Sequence, residues 1–239
     1  VELTVERVRA RLRTPFHAAW GSISERELVL VRLEDRSGHV GFGEAVPLPG
    51  YGGATVDEVC AALQRCAELL PGTADGPPRE LIAACAALSP PPQAIAAIDL
   101  ALWDLEGRRA GVPAWSLLGA STAPEIELNA TIADSGQAAS ARAAGFHCIK
   151  AKVGLEADFE RLAALRGAVG PDVAIRIDAN GAWSVGEAVA ALRRLEPIGI
   201  ELCEEPAHGL DAIAQVADAS SVPVALDESG ASSGAFDRR

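Results

Sequence analysis

The chain has 239 residues, a length that suits roughly one and a half domains, and its 49% apolar and 23% charged residues exclude disorder and collagen-like repeats. Asp and Glu number 33 against 21 Lys and Arg, and the net charge of -12 excludes the clustered cationic surface a nucleic acid needs. Every apolar stretch is interrupted before it could span a bilayer, and Val1, Leu3 and Val5 alternate with Glu2, Thr4 and Glu6, unlike a signal peptide, so the expected location is the cytoplasm with no membrane partner. Methionine is absent and the chain begins with Val, which leads us to expect a missing natural start or an unusual start codon.

Residues 1–46 read as a β-meander: Leu28 to Leu33 is β-rich, Asp35-Arg36-Ser37-Gly38 is a turn, and Val40 to Glu44 resumes extended structure. After a loop from Pro47 to Gly53, Thr55 and Glu58 form a capping box for a helix whose apolar face is Val59, Ala62, Leu63, Cys66, Leu69 and Leu70. Two further helical patterns cover 79–88 and 93–110. From about residue 125 short β-rich runs alternate with Ala-rich helices: Ile126–Ile132, Cys148–Val153, Ala174–Ala179, Ile200–Glu204 and Val222–Asp227. The ionisable run ends Lys152, Asp178, Glu204 and Asp227 lie 26, 26 and 23 positions apart, a βα repeat that gives parallel strands. Four successive strands ending in charged residues favour a barrel over an open doubly wound sheet, because a barrel gathers its chemistry at the C-terminal ends of many strands. Eight strands would need three more units, about 75 residues at this spacing, so the barrel is expected only through its fifth strand. The two unpaired edges that this leaves should aggregate or recruit a partner edge, and a homo-oligomer is one outcome.

Lys150 and Lys152 flank Ala151, and the period of two puts both on one face of a strand. Lysines are common on exposed edge strands, but a barrel strand has no such edge, so these two face the lumen or its mouth. Close cations depress each other's pKa, which suits a general base. A single strand-end carboxylate is ordinarily a helix cap or salt-bridge partner. Asp178, Glu204 and Asp227, at equivalent positions on consecutive strands, would repel without a cation, and such an all-oxygen set suits Mg²⁺.

With these motifs in hand, the sequence resembles the enolase superfamily, and within it the muconate-lactonizing-enzyme subgroup. The resemblance runs from Gly43-Glu44-Ala45 through Ala97-x-Asp99-x-Ala101-x-x-Asp104, Lys150-Ala151-Lys152-Val153-Gly154, Asp178-Ala179-Asn180-Gly181-Ala182-Trp183 and Glu204-Glu205-Pro206 to Asp227-Glu228-Ser229. It implies an α+β capping domain over residues 1–118, followed over 119–239 by a modified β/α TIM-type barrel. It also implies Asp178, Glu204 and Asp227 as Mg²⁺ ligands, Lys152 as the base that removes a proton α to a carboxylate of a small-molecule substrate, and Lys150 as a second cation on the charge that develops. Pro47-Leu48-Pro49-Gly50, Asn129 to Ile132 and the Glu204-Glu205-Pro206 variant look most like o-succinylbenzoate synthases, lyases of menaquinone biosynthesis. Dipeptide epimerases and N-acylamino-acid racemases share every metal and base residue and form the alternative, an isomerase. These need a second lysine, which the resemblance places on the strand after Asp227 and beyond residue 239, so a fragment or a non-catalytic truncated homologue is a further alternative.

Phe16, His17, Trp20 and Tyr51 fall in two loops that a capping domain would set over a barrel mouth, and Phe16, Trp20 and Tyr51 are the candidate substrate contacts. Other motifs carry less. The five cysteines are odd in number and lack C-x-x-C spacing, so reduced, mostly buried thiols are expected. Gly230-Ala231-Ser232-Ser233-Gly234 lacks the downstream His of a nucleophile elbow. Gly41-x-Gly43 lacks the third glycine and the following helix of a dinucleotide fingerprint.

Overall fold

Three antiparallel strands begin the chain in the order β1-β2-β3: β1 (Glu2–Ala18), β2 (Gly21–Glu34) and β3 (Val40–Ala45). A computed structural model describes the chain except for residues 19–20, 50–52, 71–75, 124 and 233–239, and the side chains of residues 14, 16–18 and 231–232. The chain divides into two compact units, Val1–Glu125 and Ile126–Arg239.

In the first unit Val29, Val31 and Leu33 alternate inward on β2 and are fully buried, as the period of two requires. They pack with Val59, Leu63 and Cys66 of α1 (Val56–Leu69) and with Ala94, Ala97, Ile98, Ala101 and Leu105 of α3 (Pro92–Ala110). The capping box forms as the sequence predicts: the Glu58 amide donates to Thr55 Oγ1, and the Thr55 amide donates to Glu58 Oε2 at 2.8 Å. The helices expected at 79–88 and 93–110 appear as α2 (Pro78–Ala86) and α3. Gly41 and Gly43 now have a structural reason. A Cβ on either would run into the backbone carbonyl of Ala101 or Ala97, so β3 lies directly against α3 only because both positions, and the alanines facing them, are small. Asp104 of the same helix accepts from the Phe42 amide at 2.8 Å and fixes the strand's position along it. A short helix, α4 (Ala114–Leu117), follows.

The second unit is a βα repeat. Its five strands, β4 (Ala130–Ile132), β5 (Cys148–Lys152), β6 (Ala174–Asp178), β7 (Ile200–Glu204) and β8 (Val224–Ala225), are all parallel and hydrogen-bonded in sequential order. Between them run α5 (Ser135–Ala143), α6 (Asp158–Val169), α7 (Val185–Leu195) and α8 (Leu210–Ala219), and α9 (Glu228–Ser232) follows β8. One sheet face presents Ile149, Ala151, Ile175, Ile177 and Cys203 to Leu162, Leu165, Leu192 and Val216 of the helices. A fully buried Leu or Ile contributes about 1.5–3 kcal/mol, so this layer fixes the register. A one-residue slip would put Lys150 and Lys152 into it. Among the described residues no helix is long and apolar enough to cross a membrane, and all five cysteines are unpaired, four of them buried.

Two strands are shorter than the sequence suggests. The run Ile126–Ile132 is extended in the sheet only from Ala130, and Ile126 and Leu128 are 74% and 69% exposed. Among the described residues β4 pairs with β5 alone. β8 ends at Ala225, two residues before Asp227, because the chain there turns into α9.

Candidate active site at the strand ends

The sheet face opposite the helices carries Lys150 and Lys152 on β5, Arg176 and Asp178 on β6 and Glu204 on β7. Pairing sets Lys152 level with Asp178 and Asp178 level with Glu204, so three charged groups come side by side at the C-terminal ends of adjacent strands. Their side chains meet. Lys150 Nζ lies 2.7 Å from Glu204 Oε1 and 2.9 Å from Asp178 Oδ2, and Lys152 Nζ lies 2.6 Å from that same Asp178 oxygen. Lys152 also donates to Asn180 Oδ1 at 2.7 Å, while Asp178 Oδ1 accepts from the Asn180 amide at 3.0 Å. Asp178 is 1% exposed, and both of its oxygens are used.

This neutral cluster reverses one expectation. Lys150 and Lys152 do stand together, but for Lys150 the neighbouring carboxylates outweigh that repulsion. Burial pushes Lys150 toward its neutral form, yet the hydrogen bonds and charges of Glu204 and Asp178 prevail and raise its pKa above the ordinary lysine value. Burial likewise opposes ionisation of Asp178, and the two lysines overcome it and hold its pKa below the usual carboxylate range. Cys203, beneath them, has its thiol pKa pushed up by burial and by the neighbouring charges of Asp178 and Glu204.

Whether these residues fit Mg²⁺ can be judged from the donors. Asp178 and Glu204 are hard oxygen ligands that already converge on one cationic nitrogen, that of Lys150, so the pair is built to share a positive charge. Asp227 is not gathered in. Its side chain is exposed on the turn between β8 and α9, and among the described residues no three His, Cys, Asp or Glu stand together as a metal would need. Asp178 and Glu204 thus have the hard-oxygen donor chemistry that suits Mg²⁺, while the third expected ligand, Asp227, lies on the adjoining turn and is not brought together with them. Of the expected substrate contacts, Trp20, Tyr51 and the Phe16 side chain lie outside the described residues.

Two residues at the strand ends have no role assigned by the sequence. Asn180, in a left-handed conformation at φ 46°, links Lys152 to Glu228 Oε1 through its amide nitrogen at 3.1 Å. Glu205, at φ 43°, is fully buried, and its carboxylate accepts from the Asp227 amide at 2.9 Å, the Ser229 amide at 3.1 Å and the Ser229 hydroxyl. Left-handed non-glycine residues cost about 1–3 kcal/mol and cluster at functional sites. The sequence signal for both was their place one or two residues past a strand-end carboxylate.

Residues 1–119 match the family model of the mandelate racemase/muconate lactonizing enzyme N-terminal domain, and residues 134–238 match the enolase C-terminal domain-like family. The D-Ala-D/L-Ala epimerase of Cytophaga hutchinsonii is 32% identical over 92% of this chain and 62% of its own length. The L-Ala-D/L-Glu epimerase of Bacillus subtilis is 31% identical over 96% of this chain and 66% of its own. Among solved structures, the dipeptide epimerase of Enterococcus faecalis, complexed with Mg and the dipeptide L-Leu-L-Tyr, superposes with a TM-score of 0.87 at 30% identity, over 95% of this chain and 67% of that one. The chain thus spans less than two thirds of the length of the two epimerases first named. All three relatives are epimerases. They favour the isomerase alternative over the expected o-succinylbenzoate synthase, and with it the lyase and menaquinone readings lose their support.

Proposed function

The chain belongs to the enolase superfamily, combining the mandelate racemase/muconate lactonizing enzyme N-terminal domain with the enolase-like C-terminal domain, and from that premise we propose that it exchanges the proton α to a carboxylate as a Mg²⁺-dependent dipeptide epimerase. The observation that carries this reading is the shared cluster of Lys150, Lys152, Asp178 and Glu204 on one sheet face.

A proton α to a carboxylate is very weakly acidic, and its removal places a second negative charge on that carboxylate. When bound, Mg²⁺ supplies Lewis-acid neutralisation of this charge, with Asp178, Glu204 and Asp227 as the residues that would hold it. Lys150, whose raised pKa keeps it an ammonium, donates to the same developing charge. Lys152 acts as the base on one face of the α-carbon. Asn180 accepts from its Nζ and fixes the direction in which that nitrogen points. The dipeptide class is taken from the epimerases that the chain resembles.

The test is incubation in deuterated water with Mg²⁺ and L-Ala-L-Glu or L-Leu-L-Tyr, following α-deuterium by mass spectrometry. The reading expects incorporation that falls at least ~10²-fold in Lys152→Ala, the loss appropriate to removing a general base. Incorporation unchanged by that substitution, or dehydration of the cyclohexadiene-carboxylate substrate of o-succinylbenzoate synthases in its place, would overturn it.

A further inference from the structure

Glu205 is the one fully buried carboxylate of the described residues that the chemistry above does not use. It sits beside Glu204 in sequence, but the two point to different tasks. Glu204 turns to Lys150. Glu205 takes a left-handed turn at the end of β7, and its carboxylate receives the Asp227 amide on one oxygen and the Ser229 amide and hydroxyl on the other. Its own backbone extends the grip in both directions: its amide donates to the Ala225 carbonyl at 2.9 Å, and its carbonyl accepts from the Gly181 amide at 2.7 Å. One residue thereby ties the turn after Asp178 to the turn that carries Asp227. Among the described residues no Lys, Arg or His forms an ion pair with its carboxylate, so three donors from a single turn are what this buried charge is arranged around.

We propose that Glu205 is a positioning residue for divalent-cation binding: by holding the amides of Asp227 and Ser229 it stops β8 at Ala225 and sets where the Asp227 carboxylate stands relative to Asp178 and Glu204. The physical reason is geometric. Asp227 is exposed and is not itself drawn into the carboxylate cluster, so its location depends on the backbone of its turn, and Glu205 is the group that fixes that backbone. Ser229 extends the same clamp, since its Oγ accepts from the Gly209 amide at 2.8 Å while its hydroxyl donates to Glu205. The inference rests on the Mg²⁺ reading above and adds to it a residue that touches no metal.

The experiment is Mg²⁺ titration of the chain by calorimetry, with thermal midpoints measured separately in chelator. Glu205→Gln keeps the volume but turns an NH₂ toward the amides it should accept from, and Ser229→Ala removes one donor and leaves the charge. Supporting elements of this kind change metal affinity ~10–100-fold, and Glu205→Gln should weaken Mg²⁺ by that factor. Ser229→Ala should weaken it less, and Asp227→Asn at least as much as Glu205→Gln. Amide exchange at 227 and 229 should accelerate in Glu205→Gln. Undiminished Mg²⁺ affinity in both clamp variants, with a lowered thermal midpoint alone, would make Glu205 a purely structural group and overturn the proposal while the proposed function stands. Should Glu205→Gln fail to fold, Ser229→Ala decides by the same comparison. A wild-type chain that does not bind Mg²⁺ would overturn the functional reading and this inference with it.

Discussion

Asp178→Asn isolates the electrostatics of the strand-end cluster, because the amide has nearly the volume of the carboxylate and leaves no cavity. In the native cluster two ammonium groups and two carboxylates balance, with side-chain exposures of 18% and 15% for Lys150 and Lys152 and 1% and 21% for Asp178 and Glu204. Removing the Asp178 charge leaves Lys150 its contact with Glu204, and leaves Lys152, among the described residues, the uncharged Asn180 amide oxygen. Removing one partner of a buried pair costs about 3–5 kcal/mol, and this value is expected in chelator for the second unit. The double variant Asp178→Asn with Lys152→Met should recover at least ~1 kcal/mol of the summed single losses, within the range measured for contacting residues. Urea unfolding followed by circular dichroism, with amide exchange on β5, β6 and β7 to confine the readout to this unit, measures all three. Additivity to within ~0.3 kcal/mol would mean that the two side chains do not interact and that the cluster is not an electrostatic unit.

Gly43→Ala should destabilise the first unit by about 3 kcal/mol, the upper end for overpacking, because the new Cβ meets the Ala97 carbonyl and lies 2.9 Å from Ala97 C and 3.0 Å from Ala101 N, all rigid helix backbone. A urea midpoint equal to that of the wild type would refute the close packing of β3 on α3. Asp35 gives a pH test: the hydrogen bond from Arg109 first, and then those from the His39 and Ser37 amides, hold its pKa well below the usual carboxylate range. A depressed folded-state pKa stabilises above the unfolded value and is lost as pH falls, so the first unit should weaken below about pH 4, and Asp35→Asn should flatten that part of an acid titration followed by circular dichroism.

What the sequence disclosed follows from how local each feature is. The capping box at Thr55 and Glu58 needs four residues, and it forms as read. The second unit was legible because each strand is a short β-branched run buried on its helix-covered face, so Ile149, Ala151, Ile175 and Ile177 announce the fold while Lys150, Lys152, Arg176 and Asp178, alternating with them, mark the other face. A period of two carries both pieces of information at once. The ionisation of Lys150 was not legible in the same way, because it depends on carboxylates 28 and 54 positions away that sequence places on neighbouring strands without giving a distance.

The ends of elements depend on contacts that a local pattern does not contain. Val222–Asp227 reads as one strand by composition, yet the chain leaves the sheet at Ala225 because a buried carboxylate 22 residues earlier captures the Asp227 amide. The same capture gives Glu204-Glu205-Pro206 its division of labour, one acid turned to the lysines and the other to the next turn. Two adjacent glutamates on an ordinary extended strand would alternate between faces, and both could not serve the strand end. The left-handed backbone at Glu205 breaks that alternation and carries the second carboxylate sideways beneath Asp227 and Ser229. Its conformational cost is offset by three hydrogen bonds to a charged acceptor at about 1.5–3 kcal/mol each, which is why a non-glycine residue persists there.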